Sequence, residues 1–225
     1  MMPEPATAVP VTPEIPLIVE FYFDVVCPWS FVGKRRLDRA IADRPDYTVS
    51  VRWLPFLLNP ELPQGGLDRT AYLMRKFGSE QRVSAAMGSV SEAGQSVEIN
   101  FAFERISRTP NTLNAHRMVR IAAHQGREEP AVEALFRAYF MQGLDIGETD
   151  VLLQVARDLD IDENEVIASF GNDGERTAIF EGNALAHRLG INGSPSFVFP
   201  GSLAISGAQE PTVLTRLLDV AAAGV

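Results

Sequence analysis

Residues 17–24, L-I-V-E-F-Y-F-D, constrain the fold more than any other stretch of the chain. The run is nearly continuous in apolar, β-branched and aromatic side chains, the pattern of a central strand covered on both faces. A helix is expected immediately after Cys27, because Pro28 suits a first helical turn, where its missing N–H would be unpaired anyway. Phe31, Leu37 and Ile41 then recur at helical spacing, and Pro45 ends the segment. Thr48–Trp53 alternates strictly and predicts a second strand. Together these make a β–α–β unit, whose crossover is almost always right-handed.

From about residue 66 the periodicity becomes helical. Helices are expected over Thr70–Phe77, Gln81–Ala93, Asn111–His124, Pro130–Phe140, Asp150–Leu159 with Thr149 as N-cap, Asp162–Phe170, and Asp173–Leu189 with Gly190 as its stop. Strands return at Ser196–Phe199 and Leu203–Ser206, joined by Pro200-Gly201-Ser202, and a last helix is expected over Glu210–Ala222. The organisation is therefore α/β, a β–α–β half (residues 17–65) and a β–β–α half (174–225) sharing one sheet around a helical insertion (66–173). Residues 1–16, rich in proline and poor in large apolar groups, read as a flexible arm.

Composition narrows the function classes. A net charge of −9 with no dense basic patch fits neither nucleic acid nor an anionic lipid surface. The N-terminus lacks the basic and apolar regions of a secretory signal, and no run of about 18 apolar residues could span a membrane. One cysteine forms no internal disulfide, so a cytoplasmic location is expected. Three scattered histidines and one cysteine give no metal-ligand spacing, and the glycine-containing stretches lack the lysine or the strand–helix context of a phosphate loop.

The chemistry concentrates at Cys27-Pro28-Trp29-Ser30. A cysteine at a helix N-terminus faces unpaired N–H groups and the positive end of the macrodipole, which favour thiolate and depress the thiol pKa. Ser30, one turn on, can offer the sulfur a hydroxyl hydrogen bond. The spacing alone fits a buried structural cysteine equally well. A second feature, Gly193-Ser194-Pro195-Ser196-Phe197, stands just before the C-terminal hairpin, where Pro195 fits either a cis turn beside the site or a plain trans loop. Lys34, Arg35 and Arg36 fit a solvated face or a device that raises the local potential.

These stretches carry a resemblance. D-V-V-C-P-W-S-F-V-G-K-R-R-L (24–37), R-W-L-P-F-L-L-N-P (52–60), K-F-G-S (76–79), P-N-T-L-N-A-H-R (110–117), E-A-L-F-R-A-Y-F (133–140), G-I-N-G-S-P-S-F-V-F (190–199) and S-G-A-Q (206–209) together resemble a DsbA-type thioredoxin fold, and more narrowly the FrnE-like oxidoreductases. The resemblance implies that Cys27 is the attacking thiol and that Ser194–Pro195 is the cis-proline loop that pairs with a thiol-bearing substrate. It places Asn111 and His116 near the site, where His116 fits a proton donor or substrate-orienting group and the pair fits equally a helix-capping asparagine and a half-buried histidine. Asn59, after Pro-Phe-Leu-Leu, fits a residue facing the cleft or an ordinary turn asparagine. The family usually carries Cys-Pro-Trp-Cys; here the fourth position is Ser30, which cannot resolve a mixed disulfide. The related 2-hydroxychromene-2-carboxylate isomerases and kappa-class glutathione transferases usually place serine where this chain has Cys27.

The expected function is a monothiol thiol–disulfide oxidoreductase, with Pro28, Trp29, Ser194 and Pro195 shaping the recognition surface and glutathione or a protein thiol as partner. The alternatives are a glutathione-dependent isomerase or transferase acting on a small aromatic or polyketide-like compound, and a non-catalytic binding module. No tightly bound cofactor is expected, glutathione serving as cosubstrate, and a homodimer is compatible with every reading.

Overall fold

A computed structural model describes residues 16–224, so the arm expected over 1–16 lies, except for Pro16, outside the described residues. Strand β1 (Leu17–Phe23) pairs in parallel with β2 (Val49–Pro55) and antiparallel with β5 (Ser196–Phe199), which pairs antiparallel with β6 (Leu203–Ser206). The sheet order is β2-β1-β5-β6, and both strands of the C-terminal hairpin fall on the residues expected. Strand β1 is central, yet only its second half is covered on both faces. Phe21, Tyr22 and Phe23 are buried, whereas Ile18 is 43% exposed and Glu20 reaches the surface to meet Arg52.

Helix α1 (Pro28–Ala42) follows β1 as expected, with Cys27 as its N-cap and Pro28 as its first residue. Helices α2 (Arg69–Phe77), α3 (Glu80–Gln95), α4 (Leu113–His124), α5 (Glu128–Phe140), α6 (Thr149–Asp158), α7 (Glu163–Phe170) and α8 (Asp173–Arg188) separate the two halves of the sheet, and α9 (Pro211–Ala223) closes the chain. One short ladder interrupts the helical block: β3 (Leu67–Asp68) pairs antiparallel with β4 (Arg108–Thr109). Two residues per strand are too few to show alternation. Thr149 is the first residue of α6 rather than its cap, because the Asp145 carboxylate already takes the Gly147 N–H at 2.9 Å and turns the chain one residue earlier. Helix α4 begins two residues later than expected, because the Asn111 side chain accepts the Leu113 N–H at 2.9 Å and holds the start open.

Aromatic packing joins the layers. Phe21 stacks on Phe197 at 4.6 Å and lies 4.9 Å from Trp53, tying three strands together. Phe31 of α1 stacks on Phe136 of α5 at 5.1 Å, so the aromatic face of 133–140 belongs to the core. The basic run after Pro28-Trp29-Ser30 is structural, not a solvated face. Lys34 is 3% exposed and meets Asp38, Glu129 and Glu133; Arg35 pairs with Glu133; Arg36 meets Glu210 at 2.7 Å and the Ala208 carbonyl at 2.6 Å. These pairs lock α1 onto α5 and onto the start of α9, and their charges are spent on carboxylates.

Gly33 sets how closely α1 approaches the proline loop. A Cβ there would stand 3.1 Å from Pro195 Cγ and 3.2 Å from Phe197 Cζ. Gly33→Val should therefore destabilise the fold by about 1–3 kcal/mol, the range for overpacked cores, read as a lower urea midpoint. Gly33→Ala should lose less, and an unchanged midpoint in Gly33→Val would show that the contact is loose.

Candidate active site

The site is built where the end of β1 meets the loop before β5. Beyond Phe23 the chain turns through Asp24-Val25-Val26, and the Cys27 N–H donates to the Asp24 carbonyl at 2.9 Å. Cys27, 4% exposed, points its sulfur at that loop, and its S–H donates to the Ser194 carbonyl at 3.2 Å. The Ser194–Pro195 peptide is cis. The Ser194 hydroxyl accepts the Asp24 N–H at 3.0 Å and is hydrogen-bonded to the Ser30 hydroxyl at 2.5 Å. Ser30 is fully buried. Four expected site residues, Cys27, Ser30, Ser194 and Pro195, thus form one contact cluster.

Two effects compete at the sulfur. The Ser30 hydroxyl and N–H and the Ser194 side chain favour thiolate, but burial outweighs them and, with Asp24 nearby, pushes the Cys27 thiol up. The depressed pKa expected from the helix start does not hold in this closed geometry, because taking a sulfur anion out of water opposes the helix end and is the larger effect here. At rest Cys27 is a thiol parked on a carbonyl.

A cavity of about 400 Å³ opens beside the sulfur, within the range of small-ligand sites. Cys27, Pro28, Trp29 and Ser194 form one wall; residues of α2 and α3, among them Tyr72, Phe77 and Val90, form the other. Trp29, 36% exposed, stands where solvent and cavity meet. A hollow of about 420 Å³ between α5 and α6, lined by Leu144, Val155 and Leu159, has no thiol in its lining.

Three expected site residues lie elsewhere. His116 is buried with Nε2 3.4 Å from Asp24 Oδ1, and its ring packs against Phe23 at 5.2 Å; it touches the back of the strand end rather than the cavity. Asn111 donates to the Leu62 carbonyl at 2.7 Å and lines a separate polar hollow with Arg117 and Arg176. Asn59 accepts from the Tyr72 hydroxyl at 3.2 Å, so it holds a cavity wall residue without lining the cavity itself. Sequence reasoning missed Asp24, which is fully buried and accepts the Leu58 N–H at 2.8 Å. The available signal was a carboxylate closing an apolar strand, a position where a charge needs dedicated donors. Arg69 and Thr109, which also line the cavity, have no such local signal.

Residues 18–219 match the DSBA-like thioredoxin domain, and the chain belongs to that family. The Bacillus subtilis (strain 168) protein YwbO, described as uncharacterized, is 27% identical over 206 residues, 89% of this chain and 95% of that one. A probable DsbA oxidoreductase of Streptomyces coelicolor superposes with a TM-score of 0.83 at 26% identity, covering 92% of this chain and 90% of the other. The cytosolic disulfide reductase DsbM of Pseudomonas aeruginosa, solved with GSH, superposes with a TM-score of 0.65 at 19% identity, covering 91% and 98%. Among the described residues no helix is long and apolar enough to cross a membrane, and no His, Cys, Asp and Glu cluster could hold a metal ion.

An acid whose pKa is raised stays protonated to higher pH, so Cys27 should react slowly with iodoacetamide at neutral pH. The rate at pH 7 is expected at least about tenfold below that of a free thiol, whose pKa is about 8.5, and should climb with pH beyond that value. Ser30→Ala removes a group that pulls the thiol down and should move the midpoint higher still. A midpoint well below about 8.5 would show that the helix end, not burial, governs the sulfur.

Proposed function

We propose that this family member is a monothiol thiol–disulfide oxidoreductase in which Cys27 alone carries the exchange and glutathione regenerates it. The observation that carries this reading is a single thiol at the head of α1, against the Ser194–Pro195 loop, with a buried hydroxyl at position 30 where a resolving thiol would stand. Nucleophilic exchange needs thiolate, and the resting thiol is held protonated by burial and by its bond to the Ser194 carbonyl. A substrate N–H donating to that carbonyl displaces the thiol proton from its acceptor. The Ser30 hydroxyl and N–H then support the sulfur anion.

The Cys27 thiolate attacks one sulfur of a disulfide R–S–S–R′. The bond Cys27–S–S–R forms, the R–S–S–R′ bond breaks, and the departing R′–S⁻ takes the proton that Cys27 lost. Ser30 cannot complete the cycle, because a hydroxyl neither forms its anion at neutral pH nor makes a disulfide. A glutathione thiolate attacks the mixed disulfide and releases R–S⁻; a second glutathione attacks Cys27–S–S–glutathione and frees Cys27. The balance is one disulfide reduced to two thiols and two glutathiones oxidised to one glutathione disulfide. This chemistry requires the reduced glutathione pool of a cytoplasm, and the GSH-bound disulfide reductase of the same fold supports it.

Intact mass tests the reading. After exposure to glutathione disulfide, the protein should gain one glutathione, and reduced glutathione should remove it. Cys27→Ser should gain none. Ser30→Cys should shed the adduct unaided by closing an internal disulfide. Reduced glutathione that binds tightly while no adduct ever forms would instead favour a glutathione-dependent isomerase or transferase.

A further inference from the structure

The cavity beside Cys27 is cationic in an acidic protein. The chain carries 29 acidic against 20 basic residues, yet the cavity lining contains Arg69 and Lys76 and no carboxylate. Arg69 is 7% exposed. It opens α2, where the β3–β4 ladder delivers it, and its N–H donates to the Ser107 carbonyl at 3.0 Å. Its guanidinium donates to the Tyr139 hydroxyl at 3.0 Å, sits 4.0 Å from the Met87 sulfur, and lies over the rings of Phe103 and Tyr139 at 5.7 and 5.8 Å. Those partners are neutral. Among the described residues no carboxylate stands within ion-pair distance of it.

Of the other two buried arginines among the described residues, only Arg36 meets a carboxylate; Arg117, which does not line this cavity, is satisfied by backbone carbonyls. Arg36 has Glu210 at 2.7 Å, and Arg117 has the Phe170 and Asn172 carbonyls at 2.6 and 3.2 Å. A buried charge without a counter-charge is costly, and leaving one beside an open cavity makes sense where a ligand supplies the anion. A second group points the same way. Thr109, 2% exposed, lines the same cavity, and its hydroxyl makes no hydrogen bond of good geometry. Close to it is the Tyr139 phenol, which gives its own proton to the Arg108 carbonyl at 2.9 Å and whose oxygen the Thr109 hydroxyl approaches as a donor. Around these polar groups the walls are Val26, Leu58, Leu73, Phe77, Met87 and Val90.

We infer that the cavity selects a compact apolar thiol or disulfide bearing a carboxylate, with Arg69 and Thr109 holding the carboxylate and the apolar body spanning to the sulfur of Cys27. This rests on the thiol-exchange reading for what happens at Cys27, but the anion site is testable without it. Calorimetric titration with 2-naphthoate and with its uncharged amide, 2-naphthamide, reads the site with no thiol chemistry. Wild type should bind the carboxylate about ten- to a hundredfold more tightly than the amide, the worth of a hydrogen-bonded charge. Arg69→Met should erase that preference and leave the amide's affinity unchanged. Arg69→Lys should restore part of it, and Cys27→Ser should leave it intact.

Equal affinity of wild type for the two probes, or no binding of either at millimolar concentration, overturns the inference independently of any variant. So does an Arg69→Met protein that still prefers the carboxylate. Glutathione also bears carboxylates. If Arg69→Met weakens reduced glutathione and spares 2-naphthoate, the anion site belongs to glutathione and the apolar-substrate assignment is wrong. A Cys27 that forms no mixed disulfide leaves the titration result standing, and a failed titration leaves the mass experiment standing.

Discussion

Ser194 is the residue on which the site depends. Its carbonyl accepts the Cys27 thiol, and its hydroxyl accepts the Asp24 N–H and pairs with Ser30. Those partners lie 164 to 170 residues away in the chain. The contacts bring the start of α1 against the turn before β5, and they do so only because β1 and β5 pair and Gly33 lets Pro195 come close. Each hydrogen bond is worth about 1 kcal/mol net, so the cluster contributes geometry more than stability. That geometry fixes where the sulfur sits and what it touches, and puts one face of Cys27 on a cavity.

Burial then decides the sulfur's resting state. A helix start favours an anion, but Cys27 is 4% exposed and desolvation is the larger effect. Cys27 is therefore a thiol at rest, its proton directed at the Ser194 carbonyl. In the proposed single-thiol cycle a protonated resting state is an advantage. A lone thiolate permanently exposed to a disulfide-containing milieu would be trapped in adducts, with no partner at position 30 to release it.

Local pattern exposed the frame of the molecule and little of its electrostatics. The apolar run at 17–24 and the hairpin around Pro200-Gly201-Ser202 were readable because strand periodicity and turn chemistry are written in adjacent residues. Cys27, Ser30 and the Ser194–Pro195 loop stood out by local pattern, their joint role was readable only through resemblance, and the geometry brings them together. Charge placement was not readable. Lys34, Arg35 and Arg36 read as a surface run, yet their carboxylates come from α5, α9 and α1 itself. His116 and Asn111 sit in one short stretch (110–117) that resembles a site, but helix α4 turns His116 inward to Asp24, and Asn111, just before the helix, lines a different hollow. Arg69 became visible only once the ladder between β3 and β4 was placed, and a two-residue ladder has no sequence signature.

The most direct test of a single-thiol cycle is its steady-state pattern with glutathione and a small disulfide varied against each other. An enzyme that passes through a covalent Cys27 intermediate should give parallel lines in double-reciprocal plots, the ping-pong signature, and lose turnover in Cys27→Ser. Intersecting lines, with turnover surviving in Cys27→Ser, would contradict it. They would mean that glutathione binds as a cosubstrate and that no mixed disulfide lies on the path.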